Sequence, residues 1–127
     1  MKKSLLLVAL ILLCACGSVP QATGVLAGKV NIGPLQPVVR EGVPEPTPGP
    51  EVFAARKILV LSANGRREVA RVSINPDGTY QVILPIGWYQ IDIAGSAIDR
   101  GIDLPTEIEI LQDQITRLDI DIDTGIR

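Results

Sequence analysis

The 127-residue chain contains no histidine. That absence removes serine–histidine and cysteine–histidine nucleophilic pairs, histidine metal sites and the usual proton shuttle. No Gly-x-x-x-x-Gly-Lys or Gly-x-Gly-x-x-Gly run occurs, so neither phosphate-cradling loop is present. Aromatic residues are scarce, with one Trp, one Phe and two Tyr. The longest aliphatic run, Ser4 to Leu13, falls well short of the roughly 20 residues that a membrane-spanning helix needs. No stretch has helical periodicity. There is no basic stripe of the kind that binds nucleic acid.

What is present begins with Met1-Lys2-Lys3, a cationic start, followed by that short apolar run and then by Leu13-Cys14-Ala15-Cys16-Gly17-Ser18. This order is the pattern of a secretory signal. Leu-x-Ala-Cys resembles the lipobox of bacterial lipoproteins. The resemblance implies a signal peptide over residues 1–15, cleavage before Cys16, and a lipid on the Cys16 thiol. Cys16 fits better than Cys14 because small Ala15 precedes it, whereas bulky Leu13 precedes Cys14. The alternative is an ordinary signal peptide cut near Ala15, leaving a free exported thiol. Gly17 stands where, in that family, an aspartate often retains the protein at the inner membrane. The implied location is a cell membrane or outer membrane, facing the periplasm or exterior. Cleavage removes Cys14 and lipidation uses Cys16, so no disulfide remains. Loss of Lys2 and Lys3 takes the twelve basic residues to ten against fourteen acidic ones, a side-chain charge of −4. The remaining 112 residues suffice for one domain with its own core.

Residues 16–23 read as the lipidated cysteine and a small, polar spacer, and 24–127 as one domain. Leu26, Gly28, Val30 and Ile32 alternate with Val25, Lys29 and Asn31, as in a strand. Gly33 to Pro50 holds six of the ten prolines and is expected as a loop, since each proline removes a donor and fixes φ. Lys57–Ser62 is β-rich and precedes the turn pair Asn64-Gly65. Glu68–Ile74 alternates, with Ala70, Val72 and Ile74 expected inward. Asn75-Pro76-Asp77-Gly78 is a turn in which proline presets φ and glycine takes the left-handed position. Tyr80, Val82 and Leu84 share a face, and Tyr89, Ile91 and Ile93 follow Pro85-Ile86-Gly87. Ile108 and Ile110 are expected to pair with Leu118, Ile120 and Ile122 across a turn near Gln112-Asp113. The pattern predicts an all-β, antiparallel Greek-key sandwich of about seven strands.

Asp77-Gly78-Thr79-Tyr80, Leu84-Pro85-Ile86-Gly87-Trp88-Tyr89 and Gly28-Lys29-Val30 resemble the carboxypeptidase regulatory-like domains, a transthyretin-like group, over roughly residues 24–123. Ile86 departs from the proline common at that place in the family. The closing Asp-Thr-Gly-Ile-Arg looks like the tails of small bacterial proteins of this type. The resemblance implies a fold and a supporting role without a reaction. It makes Tyr89 a corner residue, its ring inward and its hydroxyl on backbone. The transthyretin-like hydrolases of purine breakdown rely on histidine, which this chain lacks. Related pilus modules form a lysine–asparagine isopeptide; here only Lys29 and Lys57 survive processing, and the last strand has no asparagine.

Four features bear on function. Val38, Val39, Arg40 and Val43 in the proline loop, with Trp88, form the predicted partner-binding surface; the loop could equally be a crossover between sheets. Asp119, Asp121 and Asp123 share one side of the final strand, either as weak calcium ligands or as a solvated face that deters edge pairing. Val52–Ile74 carries a net charge of +4 and Asp92–Asp123 one of −7. The basic hairpin lies either on anionic headgroups or against acidic strands. Acidic residues fall mostly at outward strand positions, so a carboxylate-pair hydrolase is the weakest reading and no cofactor is expected. The expected protein is a non-catalytic, membrane-tethered module for protein interaction or envelope structure. Its partners would be the membrane and an envelope protein or polysaccharide, not nucleic acid. A calcium-dependent adhesion or carbohydrate-binding module is the alternative.

Overall fold

A computed structural model describes residues 20–36, 41–44 and 46–126. The leader, Cys16, Val38, Val39 and Arg40 lie outside the described residues. In chain order the elements are β1 (Thr23–Gly33), α1 (Pro50–Ala54), β2 (Lys57–Ser62), β3 (Glu68–Ser73), β4 (Thr79–Pro85), β5 (Gly87–Ala94), β6 (Arg100–Gly101), β7 (Thr106–Ile110), β8 (Ile115–Arg117) and β9 (Ile120–Asp123). They build two sheets, β4-β1-β9-β6 with β8 also on β1, and β3-β2-β5-β7. This is the predicted sandwich.

Period-2 alternation decides which side chains meet between the sheets. Ile58, Val60 and Ile91 of one sheet face Leu26, Val30 and Ile120 of the other, all at 1% exposure or less. Burying each such side chain contributes about 1.5–3 kcal/mol. Val72 and Ile74 are buried as their alternation requires, and Ala70 and Val82 pack against the same core.

Three details depart from the sequence reading. First, Ile108 and Ile110 do not form a hairpin with Leu118, Ile120 and Ile122. β7 pairs with β5, whereas β8 and β9 pair with β1, so the turn at 111–114 carries the chain from one sheet to the other. Second, β8 and β9 run parallel to β1, although every pairing in the other sheet is antiparallel. Third, the proline segment ends in a short helix. Pro50 suits the first helical turn, where no donor is required, and Phe53 is buried in the core.

The last strand is broken between Arg117 and Ile120. There Leu118 donates its N–H to Ala27 O at 2.9 Å, and the Lys29 N–H goes to Asp119 Oδ1 at 2.9 Å in place of a carbonyl. Gly28 permits this close approach, because a Cβ there would lie 1.9 Å from Leu118 O.

The strand directions define two ends. The proximal end, where β1 begins, gathers the turns at 63–67, 85–87 and 111–114. The distal end gathers the proline segment, the turn at 74–78, the 95–99 loop and the carboxyl terminus.

Candidate functional site

At the distal end, a groove of about 320 Å³ lies where the proline segment returns to the sandwich. Thr47, Pro48 and Phe53 form one side; Lys29, Asn31, Pro76 and Asp77 form the other. The turn behind it is built by Asp77, whose Oδ1 accepts from the Thr79 N–H at 3.0 Å and the Thr79 hydroxyl at 2.6 Å. Those bonds, the hydroxyl first, hold the Asp77 carboxyl below its ordinary pKa. Gly78 takes φ +87°, and a Cβ there would press on Phe53 and on Val30 O. Among the described residues Asp77 is the only carboxylate lining the groove, and Thr79 already engages it.

Polar ties close the rest of this end. Arg56 forms a two-pronged pair with Asp99, Nε to Oδ2 at 2.9 Å and Nη2 to Oδ1 at 3.0 Å. Its Nη1 donates to Val52 O, and Asp99 also accepts from the Ser96 N–H. The two side chains are only 12% and 2% exposed. Thr124, within the closing Asp-Thr-Gly, is buried and donates its hydroxyl to Pro34 O, holding the start of the proline segment.

Tyr89, the predicted corner residue, and Tyr80 each anchor a strand through the hydroxyl. Tyr89 is buried and donates its hydroxyl to Pro85 O at 2.6 Å, across the break at Gly87 (φ +143°). Tyr80 donates to Leu118 O, bridging β4 to the break in the last strand. Burial raises both phenol pKa values, and the Asp119 charge adds to the shift at Tyr80.

The structure does not bring Trp88 and the flanks of the proline segment together. Trp88 is 56% exposed at the start of β5, on the outer face of its sheet and at the proximal end. Val43 is exposed on a segment that leaves from Gly33 and rejoins at α1, both distal. The aspartates are likewise spent one by one. Asp119 serves the Lys29 N–H, Asp121 accepts from Asn31 Nδ2 at 3.0 Å, and Asp123 accepts from the Gly125 N–H at 2.9 Å. Among the described residues no three acidic or cysteine side chains are grouped to hold a metal ion. The lysines are placed apart, Lys29 exposed on β1 and Lys57 bonded through Nζ to Ser73.

The basic hairpin divides as well. Arg56 pairs with Asp99, Arg71 with Glu68 at 2.8 Å, and Lys57 with Ser73. Arg66 and Arg67, in the proximal turn, are exposed, and among the described residues neither guanidinium has a partner.

Sequence reasoning missed a row of apolar side chains on the outer face of the β1 sheet. The register aligns Ile83, Val25 and Ile115 across β4, β1 and β8. Ile83 is 66% and Ile115 73% exposed. The signal was there in Val82-Ile83-Leu84, where alternation fails and one isoleucine must face out.

No family model and no curated protein matches the chain. Solved structures do. The minor pilin GBS52 of Streptococcus agalactiae superposes with a TM-score of 0.55 at 15% identity, over 83% of this chain and 46% of that one. The Bacillus anthracis TIE protein gives 0.52 at 15% identity, over 80% and 16%. A DUF3823 family protein of Bacteroides ovatus gives 0.48 at 20% identity, over 80% and 44%. The likeness is one of fold. This chain is a β-sandwich module resembling domains of bacterial surface proteins, and it spans about half of the pilin and about a sixth of the TIE protein.

Proposed function

We propose that the protein is a non-catalytic module of the carboxypeptidase regulatory-like type, lipid-tethered through Cys16 and displayed on the outer side of a bacterial membrane. The observation that carries this reading is the join between leader and fold. A signal ending in Leu-Cys-Ala-Cys leads, after the six residues 17–22, directly into β1 of a sandwich resembling surface-protein domains. The absence of histidine and the engagement of Asp77 by Thr79 in the distal groove favour binding over catalysis. The distal groove, with Lys29, Asn31 and the returning proline segment, is the surface offered to an envelope protein or polysaccharide.

Mass spectrometry of the amino-terminal peptide from purified membranes tests the tether. The expected product begins at Cys16 and carries a diacylglyceryl thioether. An unmodified Cys16, or cleavage elsewhere, would count against it. In-cell cross-linking of the intact protein and a Cys16→Ala variant then tests for a partner that requires the tether. Capture of the same partner in both forms would show that the membrane is not needed for that contact.

A further inference from the structure

The proximal end carries a collar of exposed apolar side chains that lie outside the core. Ile86 (47% exposed) and Leu111 (42%) sit on two of its turns, 85–87 and 111–114; Ile83 and Ile115 lie on one outer face, and Trp88 on the other. The chain enters β1 between the same two turns. The Ile86 N–H donates to Ala22 O at 3.1 Å, and the Asp113 N–H donates to Thr23 O at 3.0 Å. The amino-terminal segment therefore emerges from the centre of the collar. The charges at this tip are Arg66 and Arg67, both unpaired among the described residues, against Asp113 and against Glu68, which pairs with Arg71; Glu109 lies beside Trp88 one strand over.

We propose that this end docks on the phospholipid surface holding the tether, with the collar at the headgroup–acyl boundary and Arg66 and Arg67 on lipid phosphates. The inference rests on Cys16 being the lipid anchor. From Cys16 to Thr23 the chain spans seven residues, which reach at most about 25 Å when fully extended. The collar is thus never far from the bilayer, and a contact too weak to hold a free protein holds a tethered one. The arrangement also favours lipid over a protein partner. The apolar groups encircle a tip instead of filling one flat face, which suits a medium that deforms around them. Tryptophan with nearby arginines is the composition found at membrane–water boundaries. End-on docking would leave the distal groove pointing away from the membrane, toward its partner.

Trp88 is the only tryptophan in the chain, so its emission reports this end alone. The lipidated full chain would be reconstituted into vesicles of phosphatidylethanolamine and phosphatidylglycerol, with Cys16→Ala as the unanchored control for vesicle flotation. Docking predicts a blue-shifted Trp88 emission, quenched by lipids brominated in the acyl chain and shielded from iodide. An Ile86→Ser, Ile115→Ser double variant should still float with vesicles but regain iodide quenching. Flotation of the parent chain with Trp88 quenched only by iodide would overturn docking and leave the anchor standing. Protection from both quenchers would overturn it in favour of a second copy or another protein. If the parent chain floats no better than Cys16→Ala, the anchor fails and the docking that depends on it fails too.

Discussion

At the distal end the connections are tied down by polar side chains, Arg56 with Asp99, Thr124 with Pro34, and Asp77 with Thr79. At the proximal end the connections are short turns, and Ile83, Ile86, Trp88, Leu111 and Ile115 face outward instead. Both ends cap the same core, so the difference is not a demand of the fold. Long loops carry many backbone groups that must be satisfied, and charged side chains supply those partners. At 85–87 and 111–114 the turn backbone is met by the backbone of the entering strand, Ile86 donating to Ala22 O and Asp113 to Thr23 O, which leaves the apolar side chains for another use. Val43, Ile98 and Ile102 are also exposed toward the distal end, but the proximal apolar side chains surround the entry of β1, and together they point to a contact outside the chain.

Substitutions can break this comparison. Asp99→Ala leaves the Arg56 guanidinium largely buried without its partner and should cost about 3 kcal/mol or more, read as a lower midpoint in urea. An effect under about 0.5 kcal/mol would remove the distal tie from the account. Gly28→Ala, between the two ends, drives a Cβ into Leu118 O and should cost about 2–3 kcal/mol in the same assay. Tyr80→Phe removes the hydroxyl donated to Leu118 O and should cost about 1 kcal/mol.

The Tyr80 phenol also sharpens the picture with pH. Its folded pKa lies above its unfolded value near 10, so its contribution is complete below about pH 10 and is lost as pH rises further. The parent should lose its melting-temperature advantage over Tyr80→Phe in that alkaline range. Asp77 behaves oppositely. Its folded pKa is depressed, so its contribution is present above the unfolded value near 4 and is lost as pH falls through the folded one. Asp77→Asn should therefore melt below the parent at neutral pH and converge with it in acid. The smallest effect belongs to the proximal end, where Trp88→Ala or Ile115→Ser should change stability by no more than about 0.5 kcal/mol. A loss as large as that of Asp99→Ala would mean that the collar serves the core after all.

Much of the fold was legible because its signals are local. Asn64-Gly65 and Asn75–Gly78 turn the chain where their backbone preferences say, and the inward sets from Leu26 to Ile32 and from Tyr89 to Ile93 follow from alternation alone. Tyr89 reaches backbone as the resemblance implied. Alternation carries no direction, however, so it could not show that β8 and β9 run parallel to β1 or that Ile108 faces a different sheet from Ile120. The α1 segment is too short to show a helical period, and the prolines before it mask its start. Arg56 and Asp99 lie 43 residues apart, with nothing local to join them. The site suffered from the same blindness. Trp88 and Val43 are both exposed, but which end each occupies is a property of strand order.

The most direct test of the two-ended account compares single nitroxide labels at Ile86→Cys and at Asp77→Cys, each on the lipidated protein in vesicles. Collision with apolar oxygen and with a water-soluble nickel chelate would be measured by power saturation. The account predicts that the proximal label favours oxygen while the distal label favours nickel. Equal nickel access at both positions would contradict it.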